Sequence, residues 1–140
     1  MVKPRANIWL DDLIAYVPGR HKAHALTNPA RLASNETPLG PSPKAIEAVR
    51  MAASEMHRYA DGGANDLRDA LSAHHGLEKS RIICGTGSDE ILQLIAQAYA
   101  APGDEIIHTR YGFMVYAIAA RRVGANPVIA DERDYTADVD

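Results

Sequence analysis

The chain has 140 residues, 46% of them apolar and 24% charged, and a net charge of −3. That composition describes one ordinary globular domain with a single core and excludes a disordered tail. The acidic balance argues against nucleic-acid or membrane-surface partners, both of which need a concentrated basic face. Cys84 stands alone, so no internal disulfide framework is available, and a reducing cytoplasm is the expected home. Trp9 and Leu10 run straight into Asp11 and Asp12, so the basic start has no apolar stretch behind it and no signal peptide is expected. The richest apolar segment, 91–101, is interrupted by Gln93 and Gln97 and is too short to span a bilayer.

Residues 1–41 carry Pro4, Pro18, Pro29, Pro38 and Pro41, a density that blocks long helices and central strands. They are expected to form an extended arm with a short helical turn near 11–15, lying on their own domain or on a partner. Regular structure is expected from Ser42, a good N-cap, with Pro43 at the first helical position and Ile46, Val49, Ala52 or Ala53 and Met56 at helical spacing. A glycine loop at 59–63 follows. A second helix, capped by Asn65 and stopped by Gly76, carries Leu67, Ala70, Leu71 and His74.

Beyond it the pattern alternates. Residues 81–84 read as a short buried strand, 85–88 as a tight turn and 89–101 as a helix with Ile91, Leu92, Leu94, Ile95 and Ala98 on one broad face. Pro102-Gly103 ends that helix; 105–108 read as a strand, 113–123 as a helix stopped by Gly124, and 127–130 as a third strand. The order β-α-β-α-β predicts an α/β fold with a doubly wound sheet. After the third strand, Asp138 reads as the cap of a helix that has not begun, so the chain is expected to be part of a longer protein.

The turn Gly85-Thr86-Gly87-Ser88-Asp89-Glu90 joins a predicted strand to a predicted helix. The first amides of a helix lack intrahelical acceptors, and the helix dipole is positive there, so an anion is favoured. A dinucleotide loop would need a third glycine where Glu90 stands, and an acid where the second strand ends in His108. A Walker A loop would need a lysine, which the turn lacks. A monophosphate held by the amides of Gly87, Ser88 and Asp89 survives both tests; so does a plain strand-to-helix turn with Asp89 as a first-turn acid.

Other blocks accompany this turn: Leu32-Ala33-Ser34-Asn35-Glu36-Thr37-Pro38-Leu39-Gly40-Pro41-Ser42-Pro43, then Tyr59-Ala60-Asp61-Gly62-Gly63 with Leu67-Arg68, then Gly87-Ser88-Asp89-Glu90, then Pro102-Gly103-Asp104-Glu105. In that order and spacing they resemble the histidinol-phosphate aminotransferases. The resemblance implies an extended arm (1–41) followed by the first part of a fold-type I aminotransferase large domain (42–140), with a mainly parallel sheet flanked by helices. It implies pyridoxal 5'-phosphate (PLP) as cofactor, a homodimer, and amino transfer between glutamate and imidazole-acetol phosphate in histidine biosynthesis.

Carried over by residue, the resemblance gives the amides of Gly87, Ser88 and Asp89 to the PLP phosphate. It gives an aromatic face for the pyridine ring to Phe113, with Tyr111 as the alternative. Tyr59 matches a tyrosine that reaches the neighbouring subunit's PLP phosphate, with Ala60 where many relatives have proline. Tyr16 matches an arm tyrosine associated with the substrate's phosphate, and Asn35 either lines the site or forms a turn with its own backbone. No catalytic residue is expected among these 140 residues. Lys3, Lys22, Lys44 and Lys79 do not match the lysine that holds the cofactor covalently, which is expected beyond Asp140 with the pyridinium-binding acid and the substrate arginines.

The rest reads as structure. His21 and His24 form a solvated pair without a third metal ligand. His74-His75 favour a helix C-terminus, Cys84 is a small apolar residue at a strand end, and Arg121-Arg122 mark a solvated helix side. Two other functions fit the same residues: an aromatic-amino-acid aminotransferase or phosphate-recognising decarboxylase of the same fold, and a non-catalytic phosphate-binding α/β module.

Overall fold

A computed structural model of the chain describes residues 4–17 and 36–138. These fall into two compact units, one built from the described residues up to Tyr16 with 80–138, the other from those between Val17 and Lys79.

The first unit is organised around one parallel strand pair and two helices. Strand β1 (Glu105–Thr109) lies parallel to β2 (Asn126–Ala130), in register from Glu105↔Asn126 to Thr109↔Ala130. A parallel pair needs a crossover, supplied by helix α4 (Val115–Arg122), which packs on both strands and on α3 (Ser88–Tyr99). Among the described residues the buried ones are Ala96 of α3, Val115, Ala119 and Ala120 of α4, and Ala125 at the entry to β2. Small side chains let the backbones approach closely, which explains why alanines form this core.

The link from α3 to β1 is the Pro102-Gly103-Asp104-Glu105 block. The Asp104 carboxylate accepts the Ala101 amide at 2.8 Å, the Asp104 amide returns to the Ala101 carbonyl at 3.1 Å, and the Asp104 carbonyl accepts the Asn126 amide at 2.8 Å. One acid thus closes the turn, and its backbone starts the strand pair.

The N-terminal segment lies on this unit. Its helical turn is a 3-10 turn at Ile8–Leu10, earlier than the expected 11–15. The Trp9 indole N–H reaches the Arg122 carbonyl at 3.4 Å. Gly124, at φ +80°, makes room for the ring: a Cβ there would stand 2.9 Å from Pro102 Cγ and 3.1 Å from Trp9 Cδ2.

Two sequence expectations are corrected in this unit. Residues 81–84 do not form a strand. Lys79–Arg81 make a 3-10 turn, and Ile82, Ile83 and Cys84 run on without a ladder partner among the described residues. They keep a period of two in burial, with Ile83 78% exposed between half-buried neighbours. The side-chain pattern is a strand's; the hydrogen bonds that define one are not made. The broad apolar face of α3 is also split, since Ile91, Leu92 and Ala96 turn inward while Leu94 and Ile95 are exposed.

A short antiparallel hairpin follows β2, pairing β3 (Glu132–Arg133) with β4 (Thr136–Ala137). Its turn residues Asp134 and Tyr135 both have positive φ, +51° and +61°, matching a two-residue hairpin of the primed type. The acid-rich sequence here gave no strand signal, and Asp138 follows β4 without a helix between them.

In the second unit, α1 (Pro43–Ala52) starts as expected: Ser42 Oγ accepts the Ala45 amide at 3.1 Å and proline sits in the first turn. Helix α2 (Asn65–His75) ends at Gly76. Asn65 is not its cap, however. It is the first helical residue, and Asp61 does the capping, accepting the Gly63 amide at 2.9 Å, the Asn65 amide at 2.7 Å and Asn65 Nδ2 at 3.0 Å. Arg68 ties the helix to the chain beyond it through the Lys79 carbonyl at 2.8 Å. The apolar stripe of α1 is exposed, Val49 at 70% and Met56 just beyond it at 83%. No helix among the described residues is long and apolar enough to cross a membrane.

Candidate functional site

The turn in front of α3 leads into an uncapped helix N-terminus. Gly87 sits at φ +92° and ψ 173°, and a Cβ on it would meet nothing within 4 Å. Helix α3 begins at the next residue, so the amides of Ser88 and Asp89 have no intrahelical acceptor, and no side chain caps this end. With the Gly87 amide they form a run of backbone donors at the positive end of a twelve-residue helix.

Glu90 shapes that run. Its carboxylate folds back to accept the Thr86 amide at 2.6 Å and the Thr86 hydroxyl at 3.0 Å. These two bonds, the amide's first, hold the Glu90 carboxyl below the usual carboxylate range. The Thr86 amide is thereby occupied, and the Glu90 charge is anchored on its own turn. Asp89 lines a polar cleft of about 350 Å³ with Thr86, Glu90, Gln93, Gln97 and Arg122. Arg122 Nη1 donates to Gln93 Oε1 there at 3.0 Å, so this arginine is exposed but engaged.

The aromatic candidates lie on the loop between β1 and α4. The Phe113 ring meets Tyr16 edge-on at a centroid distance of 6.1 Å and Tyr116 at 6.5 Å, and remains 46% exposed. The arm tyrosine named for the substrate phosphate and the aromatic named for the cofactor ring are therefore neighbours. Tyr111 pairs instead with Tyr135, at 5.3 Å and an interplanar angle of 48°. Among the described residues no hydrogen bond or ring contact joins Tyr16 or Phe113 to the Gly87–Ser88–Asp89 turn.

Tyr59 lies in the second unit with its ring fully exposed, on the loop whose far end is fixed by Asp61. The amides of Asn65 and then Gly63 hold the Asp61 carboxyl below the usual carboxylate range. Asn35, His21 and His24 lie outside the described residues. Cys84 is half-buried.

Sequence reasoning passed over three acids: Glu90, Asp61 and Glu132. The first two had a readable signal, an acid four residues after a threonine on the same turn and an aspartate directly before two glycines and a helix. Glu132 had none, because its partner is Tyr111, 21 residues away.

Residues 27–140 match the family model described as aminotransferase class I and II. The chain is 52% identical over all its 140 residues to the histidinol-phosphate aminotransferase of Rhodospirillum centenum, and 51% to that of Paramagnetospirillum magneticum. It spans 39% of the length of each of these relatives. Among solved structures, the histidinol-phosphate aminotransferase of Sinorhizobium meliloti in complex with pyridoxal-5'-phosphate superposes with a TM-score of 0.72 at 28% identity. The match covers 75% of this chain and 29% of that one. The α/β arrangement of the first unit is thus that of the fold-type I aminotransferases, and the chain belongs to the class I and II aminotransferase family.

Proposed function

We propose that these residues belong to a PLP-dependent histidinol-phosphate aminotransferase, which moves an amino group between glutamate and imidazole-acetol phosphate. The observation that carries this reading is the turn before α3, where Gly87 at φ +92° leads into a helix whose first amides, at Ser88 and Asp89, have no intrahelical acceptor and no side-chain cap. It occurs in a chain half-identical along its whole length to proteins of that name.

The residues present fit the cofactor. A phosphate monoester at the α3 N-terminus would accept the three amides, and the anchored Glu90 would close the turn behind it. Phe113, or Tyr111 beside it, is the aromatic we assign to the cofactor ring, and Tyr16, edge-to-face with Phe113 at 6.1 Å, is the residue we assign to the substrate's phosphate. When bound, PLP supplies the electron sink that amino transfer requires. The chain's own part is to bind and orient: fixed amides neutralise the phosphate, and the aromatic loop sets the ring plane. We place the protein in a homodimer, with the exposed Tyr59 reaching the partner subunit's cofactor phosphate and Asn35 lining the site. Residues 42–140 then contribute to the PLP-binding large domain, with 1–41 as its arm. The lysine that carries the cofactor covalently lies outside this segment.

The test is a transamination assay on the protein that carries these residues, with histidinol phosphate and 2-oxoglutarate supplied against phenylalanine and 2-oxoglutarate. Glutamate formation specific to histidinol phosphate is expected. Preference for phenylalanine would reassign the enzyme to aromatic amino acids, and no PLP-dependent turnover with either would overturn the reading.

A further inference from the structure

The loop between β1 and α4 carries both aromatic candidates for the cofactor ring, and it is tied three times to the chain that follows β2. Arg110 Nη2 meets Asp131 Oδ1 at 3.2 Å. The Tyr111 amide donates to Glu132 Oε1 at 3.4 Å. The Tyr111 ring packs on Tyr135. The β1–α4–β2 crossover requires none of these contacts. The ion pair is well exposed and contributes little by itself. The other two fix the backbone and the ring of the same residue.

The hairpin making these contacts is not a stable unit on its own. It has two residue pairs, Glu132↔Ala137 and Arg133↔Thr136, and a turn of two non-glycine residues at positive φ. So short a ladder persists only when packed on something else. What it packs on is the aromatic loop. Glu132 is half-buried in this contact, and its second oxygen, Oε2, is enclosed without a partner among the described residues. Such a carboxylate is held by its place in the packing, with the Tyr111 amide as its bonded donor.

We propose that the β3–β4 hairpin is a clamp on the β1–α4 loop, with Glu132 as the positioning residue for the Tyr111 backbone and Tyr135 as the ring against which Tyr111 is held. Phe113, two residues on, is in edge-to-face contact with Tyr16 and Tyr116. The loop is thus fixed at both of its aromatics, and the plane offered to a flat ligand is set before the ligand arrives. This functional consequence rests on the cofactor reading above; the clamp itself does not.

The experiment uses the full-length protein that carries these residues, amide hydrogen exchange and a PLP titration of its apo form. Glu132→Ala is expected to speed exchange of the Tyr111 amide about fivefold, the loss of one modest hydrogen bond. Glu132→Gln, which keeps an acceptor oxygen, should restore most of the protection, and amides within α4 should be unaffected in both. Unchanged Tyr111 exchange in Glu132→Ala, or no rescue by Glu132→Gln, overturns the clamp. In the titration, Glu132→Ala is expected to weaken PLP about threefold through lost preorganisation. If Tyr111 exchange responds but PLP affinity does not, the role in the site is overturned. If the unsubstituted full-length protein binds no PLP, the cofactor reading fails while the exchange result still decides the clamp.

Discussion

Every buried side chain among the described residues belongs to the unit of α3, β1, α4 and β2, whereas α1 and α2 bury none. The first unit is held by backbone approach through alanines and by an indole laid over a glycine. The second is held at its chain ends: Ser42 closes α1, Asp61 closes the start of α2, and Arg68 fastens α2 to Lys79. One unit answers to volume, the other to hydrogen-bond acceptors. Placement of the turn before α3 follows from the first unit, because α3 packs on α4.

Substitutions should separate the two regimes, and Trp9, the one tryptophan, reports on the first because it packs on Gly124. The largest effect is expected from Ala120→Leu. Ala120 has no exposed surface, so the added side chain overpacks the core and should cost about 1–3 kcal/mol in urea unfolding followed by Trp9 fluorescence. Gly124→Ala comes next, since the new Cβ collides with Pro102 and Trp9 at a left-handed backbone position; about 1–2 kcal/mol is expected in the same transition.

Ser42→Ala should cost about 1 kcal/mol and be seen in exchange of the α1 amides, with the Trp9 transition unmoved. A shift of that transition by Ser42→Ala as large as that of Gly124→Ala would dissolve the distinction. The smallest effect is expected from Asp61→Asn, which keeps an acceptor but removes the charge. Because Asp61 is depressed in the folded chain, its stabilisation is complete above the usual carboxylate range and is lost as pH falls through its lowered folded value. The α2 helical signal of the parent should therefore fall toward that of Asp61→Asn only in strong acid, while at neutral pH the two differ. Equal α2 signals at neutral pH would remove the charge from the account.

The sequence made the helices and the parallel strands legible because their signals are local. Ser42-Pro43, Gly76, Pro102-Gly103 and Gly124 each announce a boundary by their own conformational limits, and the boundaries lie close to where they were expected. The glycine turn before α3 was legible for the same reason. What the sequence hid depends on distant partners. Ile82 and Ile83 have a strand's composition, but a strand exists only by pairing, and no local residue reports whether a neighbour is present. Leu94 and Ile95 look identical to Ile91 in a helical pattern, yet only packing on α4 decides which turn inward. The capping by Asp61 was displaced onto Asn65 because both residues make good caps; the left-handed Ala64 between them settles which one acts. The hairpin at 132–137 was missed because its turn uses Asp134 and Tyr135 where asparagine and glycine would have marked it.

The most direct test of the central claim is a titration of the isotope-labelled full-length protein that carries these residues, in its apo form, with PLP and, separately, with pyridoxal, which lacks the phosphate. If the turn before α3 is the phosphate site, the amide resonances of Gly87, Ser88 and Asp89 shift with PLP at concentrations where pyridoxal leaves them unmoved. Equal responses to the two ligands, or PLP-induced shifts confined to lysines such as Lys44 and Lys79, would contradict it.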